Sequence, residues 1–124
     1  MGTRDLSLLA LCLWREARGE SIEARRAVLH VILNRMAARN EAAAQVILAP
    51  KQFSSFNAND PNALKFPMPD DHEWFECCCI VDHPGDDITG GASNYESCAP
   101  DHLPSWADPA KQTATVGAFR FYRL

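Results

Sequence analysis

Residues 6–14, Leu6-Ser7-Leu8-Leu9-Ala10-Leu11-Cys12-Leu13-Trp14, constrain the fold most, because a helix made from them is apolar on almost every side. Leu6, Leu9, Leu13 and Ala17 form one stripe and Leu8 and Leu11 widen it. A helix with so little polar surface must be surrounded by other elements, so it is expected at the centre of a helical domain. Asp5 is read as its N-cap and Gly19 as the left-handed stop after its end. The run is too short for a membrane span, which needs about 20 apolar residues. It also makes a poor export signal: Arg4 alone precedes it, no small-x-small site follows, and it runs straight into Trp14-Arg15-Glu16-Ala17-Arg18. Synthesis in the cytosol without a signal peptide, and no stable membrane association, are therefore expected. At 124 residues the chain is read as one domain spanning 1–124, with a core that needs no disulfide or metal staple. Hydrophobic residues at 47% and charged ones at 23% exclude disorder. A net charge of -4 argues against a broad basic face, so nucleic acid is not an expected partner.

Ser21 is read as the cap of a second helix over 22–39, where Ala24, Ala27, Val28, Val31, Ile32 and Arg35 recur at helical spacing. Asn40 suits its left-handed end, and 41–48 reads as a short third helix closed by Pro50. Residues 52–69 mix Asn, Ser, Asp and Pro with Phe53, Phe56 and Phe66, the composition of a long irregular segment. Asp70 or Asp71 is expected to cap a helix through Trp74, Cys78 and Val81, ended by Pro84-Gly85. Residues 86–95 are turn-rich with at most one short strand, and 113–122 suggest another. The fold class expected is mainly α with a small β element and long loops.

The five cysteines, Cys12, Cys77, Cys78, Cys79 and Cys98, do not form a disulfide framework: the count is odd and three are consecutive. Consecutive helical residues point about 100° apart, so the triplet cannot face one metal ion. Small apolar packing is the expected role. Three Asp-His pairs, Asp71-His72, Asp82-His83 and Asp101-His102, fall near helix ends or loops where capping explains the aspartates. His30, on the helical apolar stretch, is read as a core or boundary histidine. No metal and no cofactor are expected.

The stretch with the most chemical content is Trp14-Arg15-Glu16-Ala17-Arg18-Gly19-Glu20. Glu16 falls in the last turn of the apolar helix, where the helix dipole and burial both favour a carboxyl that keeps its proton. That is the state from which a glycosidic oxygen is protonated. Glu20 lies four residues on, but Gly19 breaks the helix between them, so convergence of the two is not assumed. The residues alone leave a plainer alternative open, in which both glutamates are solvated and pair with Arg15, Arg18 or Arg25.

The order of motifs resembles the bacterial cell-wall hydrolase family named for spore-cortex-lytic enzymes. Glu16-Ala17-Arg18-Gly19-Glu20 and Val28-x-x-Val31-Ile32-Leu33-Asn34-Arg35 open the resemblance. Gln52-Phe53-Ser54, Asp87-Ile88-Thr89-Gly90-Gly91-Ala92 with Asn94-Tyr95, Pro104-Ser105-Trp106, and Val116-Gly117-Ala118-Phe119-Arg120-Phe121-Tyr122 continue it in order. The resemblance implies a lysozyme-like or lytic-transglycosylase-like catalytic domain acting on peptidoglycan, with Glu16 as the catalytic acid. It further implies cleavage of the β-1,4 bond between N-acetylmuramic acid and N-acetylglucosamine. A transglycosylase needs no second carboxylate, whereas inverting hydrolysis wants a base about 6.5–9.5 Å from the acid. Asp60, Asp86 and Asp87 are the loose candidates for that base, and none stands out.

Substrate contacts are expected from Glu20, Gln52, Ser54, Thr89, Gly91, Asn94, Tyr95 and Trp106. For Gln52 and Ser54 the plainer role is capping; for Thr89 and Gly91 it is an ordinary tight turn; for Tyr95 and Trp106 it is the core. The sequence departs from the family at Phe119, where His is usual, and at Ile88, where Pro is common. The first departure keeps a second function class open, a catalytically silent wall-binding or interaction module. A bare catalytic domain suits a phage or prophage endolysin held in the cytosol until a holin opens the membrane, and a monomer is expected. Glycan strands are the expected partner, held by a local cleft, since a chain of charge -4 gains no long-range attraction to an anionic wall.

Overall fold

The computed structural model describes residues 1–50, 52–57, 59–98 and 103–124, with Ser54 by its backbone alone. Helices α1 (Thr3–Ala17), α2 (Ile22–Arg39), α3 (Ala43–Ile47) and α4 (His72–Asp82) come first. Strands β1 (Asn94–Ser97), β2 (Gln112–Val116) and β3 (Phe119–Tyr122) follow, in one antiparallel sheet of order β1-β3-β2. The architecture is the expected one, helix-rich with a small sheet and long loops.

Helix α1 is central, as its composition requires. Leu9, Ala10, Cys12, Leu13 and Ala17 are at most 1% exposed, and the helix packs on α2, α3 and α4. Its start is earlier than expected: Gly2 is the N-cap, and Asp5 sits in the first turn, where the positive end of the helix favours a carboxylate without a capping bond. At the other end Gly19 takes φ +88, the left-handed turn that lets the chain reverse into α2. Ser21 caps α2 by accepting from the Ala24 amide at 3.1 Å, and Asn40 ends it in the left-handed region. Helix α3 is shorter than 41–48, because the Glu41 amide still closes α2 on the Met36 carbonyl. Asp71 caps α4, accepting from the Glu73 and Trp74 amides.

The C-terminal segment was the least legible. The loose alternation over 113–122 suggests one strand, but the chain folds there into the β2-β3 hairpin. Gly117, at φ +56, makes the turn possible and lets it sit on α2: a Cβ there would come within 3.1 Å of the Ala24 Cβ. Each arm is too short for a period of two to show. In the sheet Tyr95 pairs with Phe121 and Glu96 with Arg120. Alternation then puts Tyr95, Phe119 and Phe121 on the helix-facing side and Asn94, Glu96, Arg120 and Tyr122 on the other.

Of the cysteines only Cys12 and Cys77 are core residues; Cys78 is half-buried, and Cys79 and Cys98 are exposed. The expectation of five small apolar residues therefore holds for two, because α4 turns only one face inward. The Asp101-His102 pair lies outside the described residues. No helix of the described chain is long and apolar enough to cross a membrane.

Candidate active site around Glu16

Glu16 occupies the last turn of α1 and is half-buried. The arginines that the sequence offered as ion partners are all engaged elsewhere. Arg15 donates from Nε to the Lys65 carbonyl (3.0 Å), from one terminal nitrogen to Ser55 (3.4 Å) and from the other to Ala63 (3.2 Å). Its guanidinium lies between two rings, 4.7 Å from Phe56 and 4.8 Å from Phe66. Arg18 donates to the Trp14 carbonyl and Asn62 Oδ1 and stacks on Trp14 at 4.3 Å. Arg25 pairs with Glu76 at 3.1 Å. Among the described residues Glu16 and Glu20 have no ion pair, so the arginine pairing of the plainer reading is not seen.

The neighbour that Glu16 does have is Tyr95, whose hydroxyl lies beside its carboxylate. Burial pushes the Tyr95 phenol well above its usual range, and the negative charge of Glu16 pushes it further, so this hydroxyl stays a donor. Phe119 and Phe121 hold the Tyr95 ring, with centroids at 5.3 and 6.0 Å. Phe119, standing where the family usually carries His, thus makes an edge-on ring contact behind Tyr95. Cys12, one turn before Glu16 on α1, is fully buried; burial, then the charge of Glu16, keeps its thiol protonated.

The glycine-rich stretch enters β1 through a clasp built on Asp87. One Asp87 oxygen accepts from the Thr89 amide (2.8 Å) and hydroxyl (2.6 Å), the other from the Gly91 amide (3.1 Å) and Asn34 Nδ2 (3.0 Å). Partial burial opposes ionisation, but hydrogen bonds from Thr89, Asn34 and Gly91 outweigh it and hold Asp87 below the usual carboxylate range. The corresponding stability is present above the unfolded-state value, near 4, and is lost as pH falls through the lower folded-state value. We expect Asp87→Asn to lower stability by about 1–2 kcal/mol at pH 7 and to flatten the acid limb. Urea unfolding between pH 2 and pH 7 measures both, and parallel curves for the two proteins would refute the clasp.

This clasp reassigns Thr89. Its side chain is 0% exposed and its hydroxyl also accepts from the Ala92 amide, so it builds the loop and does not face a sugar. Gly91, at φ +81, lines a cleft of about 510 Å³ with Asn34, Ser93 and Arg123. Asn94 and Trp106 do not join Tyr95 either. Asn94 is on the other sheet face, and Trp106 stands edge-on to Tyr122 there, at 5.3 Å. Gln52 is exposed, Glu20 is half-buried just past the Gly19 turn, and the Ser54 side chain lies outside the described residues. Of the loose base candidates, Asp60 caps a 3-10 turn by accepting from the Asn62 amide, Asp87 is fully committed, and Asp86 lines a different cleft with Glu23 and Arg26.

Two buried arginines were not identified from sequence as builders of this site. Arg15 reads as a surface partner of the glutamates and Arg35 as one more position on an apolar stripe. Their partners lie 40–58 residues away, beyond any local pattern.

Comparisons with known proteins bear on the family and the fold. The family described as cell wall hydrolase matches residues 19–122. The catalytic domain of the germination-specific lytic transglycosylase SleB from Bacillus anthracis is similar over 99% of this chain and 97% of that one, at 25% identity and a TM-score of 0.75. The catalytic domain of the Bacillus cereus SleB protein is similar over 98% and 91%, at 26% identity and a TM-score of 0.69. Among curated proteins, none matches the chain.

Proposed function

Because the chain belongs to the cell wall hydrolase family, we propose that it degrades peptidoglycan by cleaving the β-1,4 bond between N-acetylmuramic acid and N-acetylglucosamine, as a lytic transglycosylase with Glu16 as its single acid and base. The observation that carries this reading is the placement of Glu16, a half-buried carboxyl free of any described ion pair and set beside the Tyr95 hydroxyl. In the first step Glu16 gives its proton to the glycosidic oxygen as the C1–O bond breaks and positive charge develops at the muramic C1. The resulting carboxylate is then expected to accept from the neighbouring Tyr95 hydroxyl. It then takes the proton of the muramic 6-hydroxyl as that oxygen closes on C1, which leaves a 1,6-anhydro end and returns Glu16 to its starting state. Water is not consumed, so no second carboxylate is required. The commitment of Asp60 and Asp87 to local caps supports this over inversion.

Purified peptidoglycan sacculi test the bond assignment. Their suspension should clear, with muramic acid at every newly formed C1 end. Newly formed N-acetylglucosamine reducing ends would refute the bond. A suspension that never clears would point to a silent wall-binding module of the same fold.

A further inference from the structure

The segment that delivers Tyr95 to Glu16 is tied to α2 by two consecutive side chains. Asn34 donates to the Ala92 carbonyl at 2.9 Å as well as to Asp87. Arg35 donates from Nε to the Ser93 carbonyl at 2.6 Å. Ser93 is two residues before Tyr95, and its amide is fixed on the Tyr122 carbonyl at 2.9 Å. Arg35 is 7% exposed, lies 5.4 Å from the Phe53 ring centroid, and keeps one terminal nitrogen buried without a hydrogen-bond partner. A guanidinium taken out of water with incomplete hydrogen bonding is costly, and an apolar residue would fill an α2 core position at less expense. Its charge is felt at both Tyr95 and Cys12, the two groups that also feel Glu16.

We propose that Arg35 is a positioning residue for the reaction, one that acts through Ser93 to hold the Tyr95 hydroxyl against Glu16. The inference rests on Glu16 being the acid. Arg35 touches neither substrate nor reacting atoms in this account; it fixes the backbone two residues upstream of the hydroxyl that lies beside the carboxyl. A displacement of about 1 Å at a reacting group can cost on the order of 100-fold in rate. Lysine keeps the charge but not the rigid fork that binds a carbonyl while lying over a ring.

The test uses soluble, uncross-linked peptidoglycan glycan strands, so that kcat and KM can be separated. Arg35→Met should lower kcat by about 100-fold and Arg35→Lys by about 10-fold, with KM within about threefold of wild type in both. Because Arg35 works through Tyr95, the Arg35→Lys/Tyr95→Phe double variant should be little slower than the slower single variant. A wild-type kcat in Arg35→Lys would overturn the proposal. So would a double variant whose loss is the product of the two single losses. Arg35→Lys carries the test if Arg35→Met does not fold. Glu16→Gln on the same strands keeps the two ideas apart, since activity surviving there removes the acid assignment whatever Arg35 does.

Discussion

Glu16→Gln should lose activity on purified peptidoglycan by about 100- to 10,000-fold, the range that proton transfer by a positioned side chain contributes. The substitution keeps the volume but removes the only proton that the proposed first step uses. Because Glu16 is half-buried at a helix end with no described ion pair, its charge is not holding the fold. The unfolding midpoint should therefore stay within a few degrees of wild type. Activity loss with an unchanged midpoint identifies a chemical role. A large fall in midpoint would identify a structural one, and undiminished clearing of the wall would remove Glu16 from the mechanism.

Arg15→Ala is expected to have the largest effect on stability. Arg15 joins α1 to the irregular segment at three carbonyls, those of Ser55, Ala63 and Lys65, and fills the space between Phe56 and Phe66. Hydrogen bonds from a charged donor contribute about 1.5–3 kcal/mol each when their partners are buried, and less where water can replace the donor. The ring contacts add about 0.5–1 kcal/mol, because the Phe66 ring is exposed. With the Lys65 and Ala63 bonds only partly buried, the net loss should be about 2–4 kcal/mol, or about 10 °C in midpoint for a domain of this size. The loss is local in its first consequence. The 3-10 turns Ser54–Phe56 and Pro61–Leu64 have little core of their own, so they should become open to proteases before the helices do. Thermal unfolding and limited proteolysis read the two effects. A midpoint and a cleavage pattern equal to wild type would show that Arg15 is not what holds this segment.

What the sequence made legible follows the range of the interaction that fixes each feature. Ser21, Asn40 and Asp71 announce helix ends because a cap is a bond to a neighbour two to four residues away. The central place of α1 was legible because burial on all sides requires an apolar run. Glu16 stood out through its position at the end of that run together with the resemblance. The site's other parts depend on bonds between distant segments. Arg35 reaches Ser93 across 58 residues and Arg15 reaches Lys65 across 50. Nothing in the local pattern distinguishes such an arginine from one on a solvated face. Thr89 illustrates the same limit: Asp87-x-Thr89 marks a tight turn, but which way the hydroxyl points is set by Asp87 and Ala92 inside the loop. Trp106 and Asn94 were read as cleft residues because sequence order does not say which face of a short sheet a residue takes.

The charge of -4 offers no broad attraction to an anionic polymer, so on the proposed function binding is expected from a local cleft. The central claim is that one carboxyl, beside Tyr95, both gives and recovers the proton, with the muramic 6-hydroxyl in place of water. Mass spectrometry of the muropeptides released from purified sacculi tests it most directly. The account predicts fragments one water lighter than the hydrolysis products, ending in 1,6-anhydro-N-acetylmuramic acid, and none of them with Glu16→Gln. Fragments ending in ordinary reducing N-acetylmuramic acid would contradict it and require a water-activating base that this account leaves out.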